Sequence, residues 1–299
     1  MGFRVLRPGS CSLLVDPGRP GHRHRGVPLG GAADRWSYVL GNALVGNASG
    51  AVALEFALAG PLLEATEEHH CVLAGAHFHA VLSGKPVVVG RTFQVHSGDV
   101  LEITVCEQGQ RGYLCVHGGF ESPMVLDSRS ALEPLAEGVN LSCPVSASRC
   151  RFVPDMRWLP ADLNRLRILP GPHFPLAGEK LLQVPWRVTS ASNRMGLRLR
   201  GPNLLQTPLD LPSAPVCPGV VQATQGGEII VLGVDAQTIG GYPRLAHVIS
   251  ADLDKLAQLR PGDEVAFELS DLASAEAASH QARREMNAWV QRLLTTWDG

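Results

Sequence analysis

"LEFALAGPLLEAT", residues 54 to 66, lines up with "MGLRLRGPNLLQT", residues 195 to 207, matching Gly60-Pro61 to Gly201-Pro202 and Thr66 to Thr207. Further along, "HSGDVLEITV" (96 to 105) matches "RPGDEVAFEL" (260 to 269), each a Gly-Asp turn that feeds an apolar run. Two matches in the same order are the mark of a duplicated unit. The second match has the longer offset, so the second copy carries extra residues between its two landmarks. Around them, "AVALEFAL" sets Val52, Leu54, Phe56 and Leu58 on one face, and "GDVLEITV", "RGYLCVHG", "EIIVLGV" and "DEVAFEL" are short apolar or alternating runs closed by Gly, Pro or Asp. Such runs read as strands, and short strands at this spacing suggest barrels. The expectation is two related β-rich domains.

The whole chain is consistent with that division. Its 299 residues suit about two domains of roughly 150 residues each, and a hydrophobic content of 45% can fill their cores. The boundary is expected within "VPDMRWLPADLNRLRILPGP", Pro154 to Pro170, where prolines mix with a polar stretch. This gives domains at 1–160 and 161–270, followed by a C-terminal segment at 271–299. In that segment Met286, Trp289, Val290, Leu293, Leu294 and Trp297 form an apolar stripe at helical spacing, suited to covering its own barrel or to meeting a partner subunit.

With 26 basic and 28 acidic side chains and a formal charge of -2, the chain lacks the basic excess of a nucleic-acid binder. No apolar run approaches the roughly 20 residues that cross a bilayer. "MGFRVLRPGS" lacks the apolar core of a signal peptide and the Ser or Thr of a myristoylation signal. The expected location is cytoplasmic. Seven cysteines, Cys11, Cys71, Cys106, Cys115, Cys143, Cys150 and Cys217, are scattered without a C-x-x-C pair and read as small core residues.

One helix is plain in the first half. Asp34 is its N-cap, Trp36, Val39, Leu40, Ala43 and Leu44 follow helical periodicity, and Gly46 stops it. Before it runs "VDPGRPGHRHRGVPLGGAADRW", 15 to 36, rich in Gly, Pro, Arg and His. A loop of that composition suits an anionic ligand, at a site expected at the head of the first barrel.

Other candidates are weaker. "HHCVLAGAHFHA" offers His69, His70, Cys71, His77 and His79, but two ligands on one strand face do not make a metal site and no H-E-x-x-H follows; no metal is expected. "SGKP" (83 to 86) lacks the remaining P-loop residues, and Lys85 reads as a hairpin turn residue. No G-x-S-x-G elbow is present, and Cys217 in "APVCPGVV" has no evident histidine base nearby in sequence. The stretch "GVDAQTIGGYPRLAHVISADLDKLAQLRPGDEV" (233 to 265) ends a strand at Asp235, Gln237 and Thr238, and Gly240-Gly241 then allows a tight turn or an approach to a ligand.

That stretch, the opening loop and "SNRMGLRL" (192 to 199) together resemble the carboxyltransferase-domain family. This family includes the C subunit of 5-oxoprolinase, the KipI antagonist, the second subunit of allophanate hydrolase and the carboxyltransferase half of urea carboxylase. The resemblance runs from about residue 4 to 269. Its first motif fits Asp16, Gly18, Arg19, Gly21, Gly26, Val27, Pro28, Gly31 and Asp34, with Asn42 and Asn47 after it. Arg194, Met195 and Gly196 fit the second, and Pro218, Gly219 and Gln222 the third. Asp235, Gln237, Thr238, Gly240, Gly241, Tyr242 and Pro243 fit the fourth.

The resemblance implies a mainly β fold of two cyclophilin-like β-barrel domains with a few short helices and a C-terminal helix. It implies a KipI-like partner, the B subunit of 5-oxoprolinase, and a LamB/YcsF-type protein, its A subunit, which together with this chain use ATP to open 5-oxoproline to glutamate. The ATP is held on this subunit or another. Asp235, Gln237 and Arg194 are the implied catalytic set. Arg19, Gly26, Pro28, Asp34, Glu55, Gln222, Thr238, Gly240, Gly241 and Tyr242 are the implied binding set for a small amide or lactam. Arg19 or Arg194 is suited to grip a carboxylate or phosphate by a two-point fork and Asp235 and Gln237 to orient an amide, while Asp16 and Asp34 are equally suited to capping turns and Arg19 to pairing with one of them.

Departures from the family pattern accompany the match. Asn193 stands where the family has Asp, Ala236 where it has Arg, and Ala214 where an acid is common; "LEPLAEGVNLSC" replaces a Gly-rich segment, and residues 170 to 183 are shorter than typical. An acid and a guanidinium lost together leave no stranded charge. Two alternatives to the hydrolase therefore stand: a catalytically degenerate regulatory partner of a KipI-like protein, and the carboxyltransferase subunit of a biotin-dependent urea carboxylase-like enzyme. The chain has no biotin-attachment motif, so the third reading needs biotin on another protein.

Overall fold

The computed structural model describes residues 2–145, 151–153, 156–204 and 211–295. Cys150, Pro154, Thr207 and Trp297, which take part in the sequence patterns, lie outside the described residues. The backbone is mainly β with few helices. It divides into two compact units, one of Met1–Gly18, Asp34–Leu159 and Glu285–Gly299, the other of Arg19–Ala33 and Pro160–Arg284.

The first unit contains β1 (Phe3–Arg7), β2 (Cys11–Val15), β3 (Ala53–Ala57), β4 (Leu62–Ala65), β5 (His69–Gly75), β6 (Phe78–Leu82), β7 (Lys85–Val87), β8 (Thr92–Val95), β9 (Val100–Cys106), β10 (Arg111–Val116) and β11 (Asn140–Leu141). They form one sheet ordered β11-β1-β4-β9-β6-β7 and another ordered β2-β3-β10-β5-β8. Phe3, Leu63 and Ile103 from the first sheet share a core with Leu54, Phe56, Leu73 and Leu114 from the second. Every residue of β3 is buried, so both of its faces are covered. Leu58 does not extend that strand as its alternation predicted: it turns at φ 64 and is exposed.

Helix α1 (Arg35–Leu44) packs against β5 and β10. Gly41 permits this approach, since a Cβ there would fall 2.8 Å from the Ala74 Cβ and 2.9 Å from the Cys115 Sγ. Asn42 and Asn47 hold the far end of the helix. Asn42 Nδ2 donates to the Tyr38 and Ala51 carbonyls, and Asn47 Nδ2 to the Asn42 side chain and the Val116 carbonyl. Lys85 is not a turn residue: Ser83 and Gly84, both at positive φ, make the turn, and Lys85 pairs with Leu82 as β7 begins.

The second unit is a closed barrel of seven strands. Its strands are β12 (Arg165–Pro170), β13 (Trp186–Val188), β14 (Gly196–Arg200), β16 (Val220–Ala223), β17 (Ile229–Leu232), β19 (Arg244–Val248) and β20 (Glu264–Leu269). A small two-stranded sheet joins β15 (Ala214–Pro215) to β18 (Ile239–Gly240). All barrel pairs are antiparallel except β12 with β20, which run parallel and complete the closure. Trp186, Leu199, Val231, Val248 and Phe267 fill the interior. Helices α2 (Phe174–Gln183) and α3 (Leu253–Gln258) belong to this unit.

The described parts of the matched sequence stretches share two local features. At the two Gly-Pro corners a Cβ would meet Ile103 Cγ2 at 2.4 Å in the case of Gly60 and Trp186 Cε3 at 2.5 Å in that of Gly201, so each corner is closed by a core side chain. At the two Gly-Asp turns the carboxylate caps the chain behind it. Asp99 accepts from the His96 N–H at 2.8 Å, and Asp263 from the Arg260 N–H at 3.0 Å.

Helix α4 (Leu272–Thr295) is the last element. Of the predicted stripe, Leu293 is buried and Met286, Trp289, Val290 and Leu294 are half-buried. Within the first unit the Arg151 Nη1 donates to the Leu293 carbonyl. Among the cysteines Cys71, Cys115 and Cys143 are core residues, Cys11 and Cys106 are half-buried, and Cys217 is exposed, contrary to its reading as a core thiol. No described helix is long and apolar enough to cross a membrane.

Candidate functional site

The Gly- and Arg-rich loop leaves the first unit at Gly18 and returns to it at Asp34; between those points, Arg19–Ala33 clusters with the second unit. The expectation of a site at the head of the first barrel is corrected accordingly. Backbone chemistry causes the attachment. The Gly30 N–H donates to the Val234 carbonyl at 2.9 Å, the Arg23 guanidinium donates to the Val216 carbonyl, and the Arg194 Nη2 donates to the Gly31 carbonyl at 2.7 Å. Inside the loop the Arg19 N–H donates to the Leu29 carbonyl, and Arg23–Arg25 form a 3-10 turn ended by Gly26 at φ 81.

Arg194 is the hinge pin of this arrangement. Its Nε donates to Asp235 Oδ2 at 2.6 Å and its Nη2 to Asp235 Oδ1 at 3.0 Å, a two-point ion pair. The Arg194 side chain is 11% exposed and that of Asp235 32%, so the carboxylate keeps an open side. The fork is thereby spent on Asp235 and the loop, which makes Arg194 a positioning residue. Arg19 is buried, and it and Asp235 flank Gly30: a Cβ on Gly30 would lie 3.3 Å from Arg19 Nη1 and 3.9 Å from Asp235 Oδ1.

Gln222 lies on β16, against Gly240. It is fully buried, yet neither its Nε2 nor its Oε1 has a hydrogen-bond partner among the described residues. A Cβ on Gly240 would fall 3.1 Å from Gln222 Nε2 and 3.6 Å from Gln237 Nε2, so both amides adjoin the space that a side chain at Gly240 would fill. Thr238 contributes its carbonyl, which accepts from the Val216 N–H, and Tyr242 stands exposed after the Gly240-Gly241 turn. Gly26 and Pro28 complete the loop, Gly26 exposed and Pro28 half-buried. Arg19, Gly26, Pro28, Arg194, Gln222, Asp235, Gln237, Thr238, Gly240, Gly241 and Tyr242 all belong to the second unit, which brings Arg19 and the Arg194–Asp235 pair together around Gly30–Gly31 and Gln222 and Gln237 together at Gly240.

Asp34 and Glu55 belong to the first unit, where both are committed to the fold. Asp34 caps α1, accepting from the Ser37 N–H at 3.0 Å and the Ser37 hydroxyl at 2.6 Å. Buried Glu55 accepts from the Tyr113 hydroxyl at 2.8 Å and pairs with Arg111 at 3.3 Å. Asp16 has the same character: it accepts from the Ser128 and Ser130 hydroxyls and from the N–H groups of Gly18 and Arg129. Burial pushes its carboxyl up, but those hydrogen bonds outweigh burial and hold it below its usual value. In the second unit Asp252, fully buried between Arg167 and Lys255, is likewise a structural anchor.

The family departures sit without stranded charges. Asn193 Oδ1 accepts from the Met195 N–H at 2.8 Å in the turn that presents Arg194. Ala236 is buried in an apolar cluster with Val216, Val220 and Leu232. Ala214 pairs with Gly240 in the small sheet.

Two β-rich units, the second a closed barrel that carries a clamped loop and a buried amide unpartnered among the described residues, define a mainly β protein with a candidate polar site in its second unit. The carboxyltransferase domain family, subdomains A and B, matches residues 25–269, and the chain belongs to it. It is 35% identical to the C subunit of 5-oxoprolinase from Escherichia coli K12, with 96% of this chain and 98% of that protein covered. To the urea amidolyase of Lachancea kluyveri it is 30% identical, covering 89% of this chain but 17% of that much longer protein. Its fold superposes on the crystal structure of Kluyveromyces lactis urea carboxylase with a TM-score of 0.85 at 27% identity, over 96% of this chain and 29% of that one.

Proposed function

We propose that this chain is a subunit of an ATP-dependent amidohydrolase of the 5-oxoprolinase type, and that its second unit holds the lactam edge of 5-oxoproline. The observation that carries this reading is the buried Gln222 amide without a partner among the described residues, open beside Gly240 and Gln237. A lactam presents a carbonyl acceptor and an N–H donor side by side. The Gln222 Nε2 and Oε1 supply the complementary donor and acceptor, and burial makes both bonds specific, since a ligand lacking either group leaves a buried atom unsatisfied. Gln237 adds a second amide, and Asp235, held by Arg194, offers a fixed carboxylate oxygen on its open side. The near full-length likeness to two proteins named as the C subunit of 5-oxoprolinase supports the same substrate class.

ATP supplies the driving force for opening the ring in the assembly. Ser83 and Gly84 form a hairpin turn that runs straight into β7 at Lys85, with no helix to follow it, so the segment does not fit a triphosphate. We assign the nucleotide to a partner, with a KipI-like B subunit and a LamB/YcsF-type A subunit as the expected companions.

The test is ATP-dependent conversion of 5-oxoproline to glutamate by the three proteins purified together. Turnover is expected to vanish when this chain is omitted, and Gln222→Met is expected to lower kcat/KM by about tenfold to a hundredfold, the worth of two buried hydrogen bonds. A stable complex without turnover would replace this reading with the regulatory one. The likeness to urea carboxylase favours a second reading, transfer of a carboxyl group to urea from biotin carried on another protein. Urea also joins an amide nitrogen to a carbonyl, so urea-dependent turnover with a biotinylated partner and none with 5-oxoproline would select it.

A further inference from the structure

Cys217 has a histidine after all, brought to it by the fold. Its Sγ lies 3.4 Å from the His247 Nε2 of β19. A rigid turn sets this distance: the Val220 N–H donates to the Cys217 carbonyl, Pro218 occupies the second position of the turn, and Gly219 takes φ 91 at the third. The turn is stitched to the barrel on both sides, the Gly219 N–H donating to the Leu232 carbonyl and the Gly219 carbonyl accepting from the Val248 N–H. Two guanidiniums flank the thiol's segment. Arg244 Nη1 donates to the Pro215 carbonyl, and Arg23 donates to the Val216 carbonyl while its Nη1, itself buried, has no partner among the described residues.

From this geometry we propose that Cys217 is a nucleophilic thiol, with His247 as its proton acceptor, that reacts with acidic low-molecular-weight disulfides. The Cys217 S–H proton passes to His247 Nε2 and the sulfur attacks one sulfur of the disulfide. The reagent's S–S bond breaks, and its leaving thiolate takes the proton from the imidazolium. The Cys217 sulfur is oxidised into a mixed disulfide as the other half of the reagent is reduced to a thiol. Arg23 and Arg244 favour reagents bearing carboxylates.

Burial raises the Cys217 thiol above its ordinary value while Arg23 opposes that rise, and burial lowers the His247 imidazole although backbone groups of Val248 and Pro218 favour its charged form. The pair therefore rests at neutral pH as thiol and neutral imidazole, the state from which a base-assisted attack proceeds. The adduct would hang one residue from Val216, whose N–H holds the Thr238 carbonyl, and next to β15, which pairs with β18 at Ile239 and Gly240. Thiolation at Cys217 thus acts on the strand that bears Gly240. Neither the thiol chemistry nor its link to that strand depends on the proposed lactam substrate.

The experiment is the reaction of the whole chain with 5,5′-dithiobis(2-nitrobenzoate), a dianion, and with the dication cystamine, followed by peptide mass mapping. One fast-reacting thiol is expected, mapped to Cys217, absent in Cys217→Ser and slowed at least about tenfold in His247→Gln. Arg23→Gln should slow the dianion more than cystamine, which keeps the question answerable should His247→Gln fail to fold. A fast phase that survives Cys217→Ser, an unchanged rate in folded His247→Gln, or a preference for cystamine would overturn the proposal.

Discussion

Gln222 is the residue that packing alone does not explain. A buried amide left without partners costs about 1–3 kcal/mol, which folding alone gives no reason to tolerate. Gln222→Met keeps the volume and removes the penalty. It is expected to raise stability by about 1 kcal/mol in urea unfolding while weakening ligand binding, the exchange seen where a site is kept at the expense of the fold. A loss of stability would mean that the amide is bonded within the protein and reserved for no ligand. The motif residues around it were legible as residue types, since Arg, Asp and Gln next to Gly signal polar recognition. Their roles were not, because a role depends on partners distant in sequence. Glu55 reads like a ligand-facing acid until Arg111 and Tyr113 close on it, and Cys217 reads as isolated until β19 delivers His247.

At the scale of elements, the loop Arg19–Ala33 shows how little regular structure is needed to fix a segment. Its attachments are to carbonyls of Val216 and Val234, together with its own Gly31 carbonyl held by Arg194. Arg194→Met removes both the bond to Gly31 and the partner of Asp235. The loop carries Arg23 and Arg25, neither followed by proline, so its release is readable by limited tryptic digestion. Cleavage within 19–33 is expected to accelerate by roughly tenfold or more, corresponding to about 1.5–3 kcal/mol from a hydrogen bond to a charged group. Unchanged cleavage would mean that Arg23 and Gly30 suffice. The helix after the loop was legible, because its cap and periodicity are local: Asp34 and α1 stand where the pattern put them. The loop's allegiance to the second unit was not, since backbone carbonyls carry no residue-type signature and nothing in "GHRHRGVPLGG" names the unit that accepts it.

At the scale of the whole molecule, the repeated sequence stretches surface in the structure as a pair of turns rather than a pair of sites. The two units differ in closure, one with two sheets around a core and the other with a single closed barrel. Yet Asp99 and Asp263 make the same bond to the N–H three residues before them, at the entrance to β9 and β20. Such a cap persists because it fixes where a strand begins whatever the rest of the sheet does. Asp99→Ala and Asp263→Ala are each expected to cost about 1 kcal/mol, with faster amide hydrogen exchange confined to the strands of the unit that carries the substitution. The first of these caps also titrates. The His96 N–H and then the Ser83 hydroxyl hold the Asp99 carboxyl below its ordinary 3.8. A carboxyl depressed in the folded state stabilises it above the ordinary value, and the contribution is lost as pH falls through the folded value. The cost of Asp99→Ala should therefore be full at neutral pH and shrink in acid below 3.8. Exchange that quickens in both units after either substitution would show that the copies do not behave as separate cooperative units.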